Sequence, residues 1–390
     1  MWVTPYDLSR LKTPYLNDSS KRITEKGLSG CSAHLLPAGS VVLSSRAPIG
    51  YVALPTVPFC TNQGCKTIKL KNGFHSEFVY YNVLFNIEKV KNLGEGTTFA
   101  EISKAALATV ALPFPTSPPE QAKIAEILST VDRAIEQTEA LIAKQQRIKT
   151  GLMQDLLIRG IDEHGNLRSE QTHLFKDSLL GRIPVEWEVK KIGEVFEIQL
   201  GKMLSQKASE GHSPFPYLGN KNVQWDYVET AGLQVMDFND RERRKFDLKC
   251  GDILVCEGGE VGRTCLWRGE VENCYYQKAV HRLRPIGGQY LPGLFPRFMR
   301  WGIRKGILAD FISQTSIAHL TQEKLASVPI IVPVLCDQVR MTEAFDALDD
   351  KQSNQSAELA KLKSLKTGLM QDLLTGKRRV TSLLEPETVQ

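Results

Sequence analysis

Apolar residues recur along two stretches of this chain with a period of 3.5. The series Ile124, Leu128, Val131, Ile135, Thr138, Ile142, Gln145, Lys149, Leu152 and Leu156 steps by four and three and is apolar at seven of ten positions. A second series, Met341, Phe345, Leu348, Gln352, Gln355, Leu359, Leu362, Lys366, Leu369 and Leu373, has the same steps and the same seven in ten. Heptads sustained this long predict coiled-coil helices. Pro118 and Pro119 stand where a helix tolerates proline, at its first turn, and Glu120 suits the positive end of the dipole. Gly160 and Gly376 are the expected residues just past each end. Each helix is then about 38 residues, roughly 57 Å. Gly151 and Gly368 fall inside the helices at about 1 kcal/mol each relative to alanine. They read equally as points of close helix approach and as tolerated defects.

The two stretches are copies. The block KTGLMQDLL occupies residues 149–157 and again 366–374, 217 positions later. At the same offset Glu120 and Gln121 align with Asp337 and Gln338. Upstream, Thr97, Ala100, Leu107, Ala108 and Val110 match Thr315, Ala318, Leu325, Ala326 and Val328 at offset 218, and Tyr81 falls opposite Arg297. Gly39 and Gly50 fall opposite Gly251 and Gly262, and Gln63 opposite Gln277. The helices are closely kept while the segments before them, the heads, drift. About 70 residues separate Gly181 from Gly251, but only 38 precede Gly39. A counterpart of roughly 181–216 is thus missing from the first head, so that either the true start lies upstream or this head is truncated.

Chain order is head, helix, head, helix. If the first helix runs from head to head, the second must run back, which makes the pair antiparallel and relates the copies by an approximate twofold axis. Within the heads, Gly39 and Gly251 read as turns opening short strands, and Gly50 and Gly262 as turns into their hairpin partners. Residues 77–87 and 294–310 read as helices, and proline-rich segments at 112–119 and 328–333 close the heads. The fold class is α+β: two α/β heads joined by two long antiparallel coiled-coil helices, with an internal pseudo-twofold duplication. The expected division is a first head over 1–115, incomplete at its N-terminus, helix and connection over 116–180, a second head over 181–333, a helix over 334–376 and a tail over 377–390.

Composition narrows the function. A hydrophobic content of 42% supports genuine cores. No run of 18 apolar residues is present and the N-terminus does not read as a signal peptide, so the expected location is cytoplasmic. Eight cysteines without a CxxC pair read as buried reduced thiols rather than a zinc site. A net charge of +5 permits nucleic-acid binding without demanding it. Motifs for nucleotide, dinucleotide, base methylation, zinc hydrolysis and serine hydrolysis are missing, and Asp252 and Glu257 lack a following Glu-x-Lys. No catalytic residue, cofactor or metal is therefore expected. Trp225, Tyr227, Tyr275 and Tyr276 read more readily as core or surface aromatics than as base-stacking platforms. Arg297, Arg300, Arg304 and Lys305 read as a solvated helix face or as a track for phosphates.

Three features carry a family resemblance: the proline–Glu-Gln–Ile–Leu–Val-Asp pattern from Pro113 to Asp132 with its looser second copy, the KTGLMQDLL repeat, and GRIPVEW at 181–187. With these the chain resembles the specificity (S) subunits of type I restriction-modification systems over nearly its whole length. The 181–187 segment looks like the usual start of a target-recognition domain there, and Asn62, Gln63 and Gly64 like a recurring strand-end motif, of which 274–278 keeps only Gln277. The resemblance implies a non-catalytic subunit whose heads each read half of a bipartite site in double-stranded DNA. It implies helices that set the spacing of the halves and dock two methyltransferase subunits, which recruit restriction-motor subunits. Chemistry with S-adenosylmethionine and ATP would belong to those partners.

On that reading the DNA-binding candidates are Ser44, Arg46, Asn62, Gln63, Lys66 and Thr97 in the first head. In the second they are Glu257, Arg263, Gln277, Lys278, Arg282, Arg300, Arg304 and Thr315. Arg and Gln are favoured because they make bidentate contacts to guanine and adenine edges. The rival readings are a coiled-coil protein scaffold that binds no DNA and a single-chain restriction enzyme with unrecognised motifs.

Overall fold

The computed structural model describes residues 1–46, 48–94, 101–204, 214–314 and 318–384. The chain divides into two compact units, Met1–Ile142 with Asn354–Gln390, and Ala143–Ser353. Each unit thus takes one head and half of each long helix.

The helices run over Pro118–Arg159 and Leu335–Leu374. In the first, the half-buried positions from residue 135 to residue 152 are 135, 138, 142, 145, 149 and 152, and every residue between them is exposed. In the second, 352, 355, 359, 362, 366 and 369 repeat that pattern. The seam follows the heptads. Gly160 and Gly376 have φ of +70° and +74°, the left-handed geometry that terminates a helix. At Gly151 and Gly368 an added Cβ would meet nothing within 4 Å, so neither marks a close helix approach within this chain.

In the first unit the start of one helix and the end of the other share a core. Ile124, Ala125 and Leu128 pack with Met370, Leu373 and Leu374, and with Phe78, Val79 and Tyr81 of the Ser76–Phe85 helix. In the second unit Met341 and Phe345 pack with Met153, Leu156 and Leu157, and with Phe295, Phe298 and Met299 of the Phe295–Arg304 helix. The helix halves are therefore antiparallel in each unit. Fully burying one such side chain stabilises by roughly 2 kcal/mol.

Polar contacts repeat across the units in the same way. Asp132 is held by Lys366 Nζ at 2.6 Å and by the Tyr81 hydroxyl at 2.8 Å. Its counterpart Asp349 is held by Lys149 and, at 2.9 Å, by Arg297. Arg297 also reaches Asp346 at 2.6 Å, so it belongs to the helix joint rather than to a solvated face.

At each helix start a fully buried carboxylate is neutralised from the end of the other helix. Arg379 grips Glu120 with two bonds of 2.6 Å, and Arg168 grips Asp337 at 2.7 and 2.9 Å. The Arg379 guanidinium holds the Glu120 carboxyl below the usual carboxylate range. Trp187 Nε1 donates to Asp337 at 2.7 Å, while in the first unit the Val380 amide donates to Glu120 at 3.4 Å. The adjacent glutamines, both buried, tie head to helix. Gln121 accepts from His75 N and donates to the Gly73 and Pro115 carbonyls. Gln338 accepts from Leu291 N and donates to the Gln289 and Pro333 carbonyls.

The heads share a three-stranded antiparallel sheet. Val41–Ser44 pairs with Val52–Pro55 and Cys65–Ile68, and Ile253–Cys256 with Thr264–Leu266 and Val280–Pro285. Each also has a parallel pair, Trp2–Val3 beside Cys60–Thr61 and Tyr217–Leu218 beside Tyr275–Tyr276. The second head adds Glu188–Lys191 beside Pro329–Val332 and Phe196–Leu200 beside Val280–Pro285. Both strands come from the stretch without a counterpart in the first head. Among the described residues no strand pairs with 111–114 or with the outer edge of Cys65–Ile68. Accordingly Leu112 and Ile68 are half-buried where Ile330 and Leu283 are fully buried.

The cysteines split. Cys60, Cys65, Cys256, Cys265 and Cys274 are buried, whereas Cys31, Cys250 and Cys336 are exposed. Burial pushes the Cys65 thiol up to about 12 and Cys256 to about 11, so these groups stay protonated and serve as small apolar fillers.

Two outcomes follow from this packing. Arg379→Ala leaves the buried Glu120 carboxylate without its cation and should destabilise the first unit. Arg168→Ala should do the same to the second. Hydrogen exchange read separately at 76–85 and 295–304 distinguishes the two, and equal loss in both units from either variant would contradict the assignment. The second outcome concerns His281, fully buried on its strand with Nε2 bonded to the Leu320 carbonyl at 2.9 Å. Burial holds its pKa below the ordinary imidazole value. The unfolded chain therefore takes up the proton first, and stability falls as pH drops below about 6.5. Melting curves from about pH 7.5 to about pH 5 should show a slope that His281→Gln flattens.

Candidate DNA interface

Equivalent loops come together at the same end of the two sheets. The Ser45 amide donates to the Gly64 carbonyl at 2.8 Å, and the Glu257 amide to the Ala279 carbonyl at 2.8 Å. These bonds join the turn after the central strand to the turn before its neighbour. They gather Arg46, Gln63 and Lys66 in the first unit, and Glu257, Arg263, Gln277 and Lys278 in the second.

In the first unit the two cations share one counter-ion. Glu101 lies 2.9 Å from Arg46 Nε and 3.3 Å from Lys66 Nζ, and they hold its carboxyl below the usual carboxylate range. Lys66 also donates to Ser45 Oγ at 3.2 Å. Asn62 is occupied locally, accepting from the Gly64 amide at 3.1 Å, while Gln63 is exposed. Ser44 is fully buried: its hydroxyl donates to the Pro48 carbonyl and accepts from the Tyr51 amide, which locks the hairpin turn. It cannot reach DNA, and the expectation for it is corrected.

In the second unit the backbone around Gln277 is crowded. A Cβ at Gly201 would lie 2.3 Å from the Gln277 carbonyl oxygen, so glycine is required there, while one at Gly219 would lie 2.5 Å from the Gln277 side-chain Nε2, which would have to swing aside. Lys278 is exposed beside it, and Ala279 has a φ of +107°, a costly conformation for an L-residue. Arg263 donates to the Asn220 carbonyl at 2.6 Å and pairs with Glu260 at 3.2 Å. Glu260 accepts from Trp225 Nε1, and Trp225 carries the Arg300 guanidinium 4.8 Å above its ring. Arg300 completes the cluster by pairing with Asp226 at 2.8 Å. It therefore braces loops and does not stand free as expected, whereas Arg304 on the same helix is exposed.

Arg282 is the clearest correction. It is 3% exposed, with Nη1 bonded to the Asp247 side chain and to the carbonyls of Lys245 and Asp247. An arginine buried on an inner strand and bonded through Nη1 within its own head is structural. Tyr275 and Tyr276 are core residues, while Tyr227 is exposed. Thr97 and Thr315 lie outside the described residues.

Residues 7–145 and 184–364 match the family described as the type I restriction modification DNA specificity domain. The chain is 28% identical to the type I restriction enzyme MjaIX specificity subunit of Methanocaldococcus jannaschii, over 98% of this chain and 87% of that one. It is 27% identical to the MjaVIII specificity subunit of the same organism, over 78% and 71%. Among solved structures it is similar to the type I restriction-modification S subunit of M. genitalium, with a TM-score of 0.55, 18% identity, and coverage of 94% and 89%. A chain from work on complex assembly and conformational transition of the type I R-M system gives 0.57 and 17%, with coverage of 96% and 90%.

Proposed function

Because this chain belongs to the type I restriction modification DNA specificity family, we propose that its two heads each read one half of a bipartite double-stranded DNA site while its helices dock methyltransferase subunits. It is the DNA-recognition subunit of such a system. Supporting the two-reader arrangement is the repeated frame: the same sheet, loop junction and helix joint occur in both units with different side chains at the loop ends. Arg46, Gln63 and Lys66 are the first head's contacts, and Lys278 and Arg304, with Gln277 and Glu257, the second's. Asn62 and Arg263 shape the loops. Phosphate contacts would position each head, and base contacts would specify.

The docking surface is carried by what packing does not explain. In the repeated block Met153, Leu156 and Leu157 and their counterparts are buried, and Lys149 and Lys366 are ion-paired. Thr150, Gly151 and Gln154, identical to Thr367, Gly368 and Gln371, are exposed. Ile148 and Leu365, 46% and 51% exposed, extend the same faces. Identity at exposed positions fits one partner surface presented twice, hence two methyltransferase subunits, with restriction-motor subunits joining through them. That partnership and DNA reading distinguish this proposal from a coiled-coil scaffold or a single-chain enzyme.

Gly151→Arg with Gly368→Arg meets open space and favours the helix by about 1 kcal/mol per site. The doubly substituted chain should therefore melt no lower than wild type, yet fail to co-purify with a co-expressed methyltransferase subunit. Retained co-purification would remove these faces from docking. For the DNA face, Glu101→Gln frees Arg46 and Lys66, so affinity for unrelated duplex DNA should rise by roughly twofold to fivefold and its salt dependence steepen. A gel-shift titration across salt concentrations reads both, and unchanged binding would place the pair off the DNA.

A further inference from the structure

Both heads carry a short surface helix at one place in the topology, Glu25–Ser29 in the first and Asp240–Lys245 in the second. In each, the helix starts 23 residues after the first paired residue of the earlier strand of the parallel pair, from Trp2 to Glu25 and from Tyr217 to Asp240. Each follows an antiparallel return beside that strand, Lys21 bridged to Trp2 in one head and Gln234–Asp237 paired with Pro214–Leu218 in the other. Each is capped by the preceding side chain. Thr24 Oγ1 accepts from the Gly27 amide at 3.1 Å, and Asn239 Oδ1 accepts from the Glu242 amide at 2.9 Å. Neither helix buries a residue.

A helix of one or two turns is marginal by itself, and with no residue buried these two gain little from apolar packing. Its retention in both heads, with a cap each time, then points to the side chains it presents. Those differ entirely: EKGLS against DRERRK. In the second head the acids are engaged. Asp240 pairs with Arg243, which lies 5.2 Å over the Phe215 ring, and Glu242 is held by Lys202 Nζ at 2.7 Å. Arg241 and Arg244, three residues apart on one face, are exposed, and Arg244 keeps only a 3.3 Å bond from Nε to the Asp240 carbonyl.

We propose that Asp240–Lys245 is the base-reading element of the second head, with Arg241 and Arg244 contacting guanine in the major groove, and that Glu25–Ser29 holds the same place in the first head with a different reading surface. The inference rests on the bipartite reading above. Phosphates are alike in every sequence, so a phosphate clamp has no reason to diverge between heads at an equivalent place in the topology. A base reader must diverge. The arginine fork fits the O6 and N7 acceptors of guanine, a match that lysine makes less specifically.

The test uses the full chain with its methyltransferase subunits, sequencing the methylated sites genome-wide. Arg241→Ala with Arg244→Ala should make one half-site degenerate at a guanine position, with discrimination there falling about tenfold or more, and leave the other half-site intact. Arg241→Lys with Arg244→Lys keeps the charge and the fold and should also relax that position. An unchanged sequence methylated more weakly, in either variant, would make the helix a phosphate clamp and overturn the proposal, as would an unchanged pattern. Wild-type sites that are not bipartite would instead overturn the underlying two-head reading.

Discussion

A carboxylate buried at the first turn of each long helix sets the terms for this fold. Glu120 and Asp337 are both fully inaccessible, and a buried charge without a partner is among the most destabilising features a protein can hold. The partner arginines lie 259 and 169 residues away in sequence, each just beyond the end of the other helix. Neither unit can therefore be completed by a head and its own helix alone. The second unit is one continuous segment, whereas the first joins the N-terminal head to the last 37 residues. Its closing contact awaits the end of the chain, so the second unit has the shorter path to its native contacts.

The helical frame was legible because its physics is periodic. A 3.5-residue apolar step fixes a seam, and an exact block repeat fixes the correspondence between copies. The Glu-Gln and Asp-Gln pairs were visible as aligned residues, but their role was not. Nothing local marks a glutamate at a helix start as buried, nor names an arginine hundreds of residues away as its counter-ion. Tyr81 and Arg297 show the same limit. They share no chemistry, yet both bind the aspartate that crosses to a lysine of the other helix. Position was kept while the means of holding it changed.

The heads were legible in outline for a different reason. Glycines at left-handed turns, Gly39 and Gly251 among them, mark where strands open, and the hairpins followed from them. The site was read less well because residue type does not reveal occupancy. Arginine suits guanine, and it suits aspartate equally. Arg282 looked like a contact residue until its strand was seen at the centre of the sheet, with Asp247 closing over it. Arg300 looked free until Trp225 and Asp226 were found folded against it. Arg46 and Lys66, joined through Glu101 at separations of 55 and 35 residues, form a cluster that no window of sequence contains.

Divergence and identity carry opposite information in a duplicated chain. Where a buried residue is unchanged between copies, packing suffices to explain it. Where an exposed residue is unchanged, as at Thr150, Gly151 and Gln154, packing gives no reason for the identity, and the proposed docking of one partner on both copies supplies one. Where the place in the topology is kept and the exposed side chains differ, as on the short capped helices of the heads, the proposed base reading accounts for the difference. The first condition describes core; under the proposed function, the second describes a shared partner and the third a sequence being read. The duplication thus serves as an internal control: each position is seen twice under the same packing rules, and departures from those rules separate the surface that assembles from the surface that discriminates.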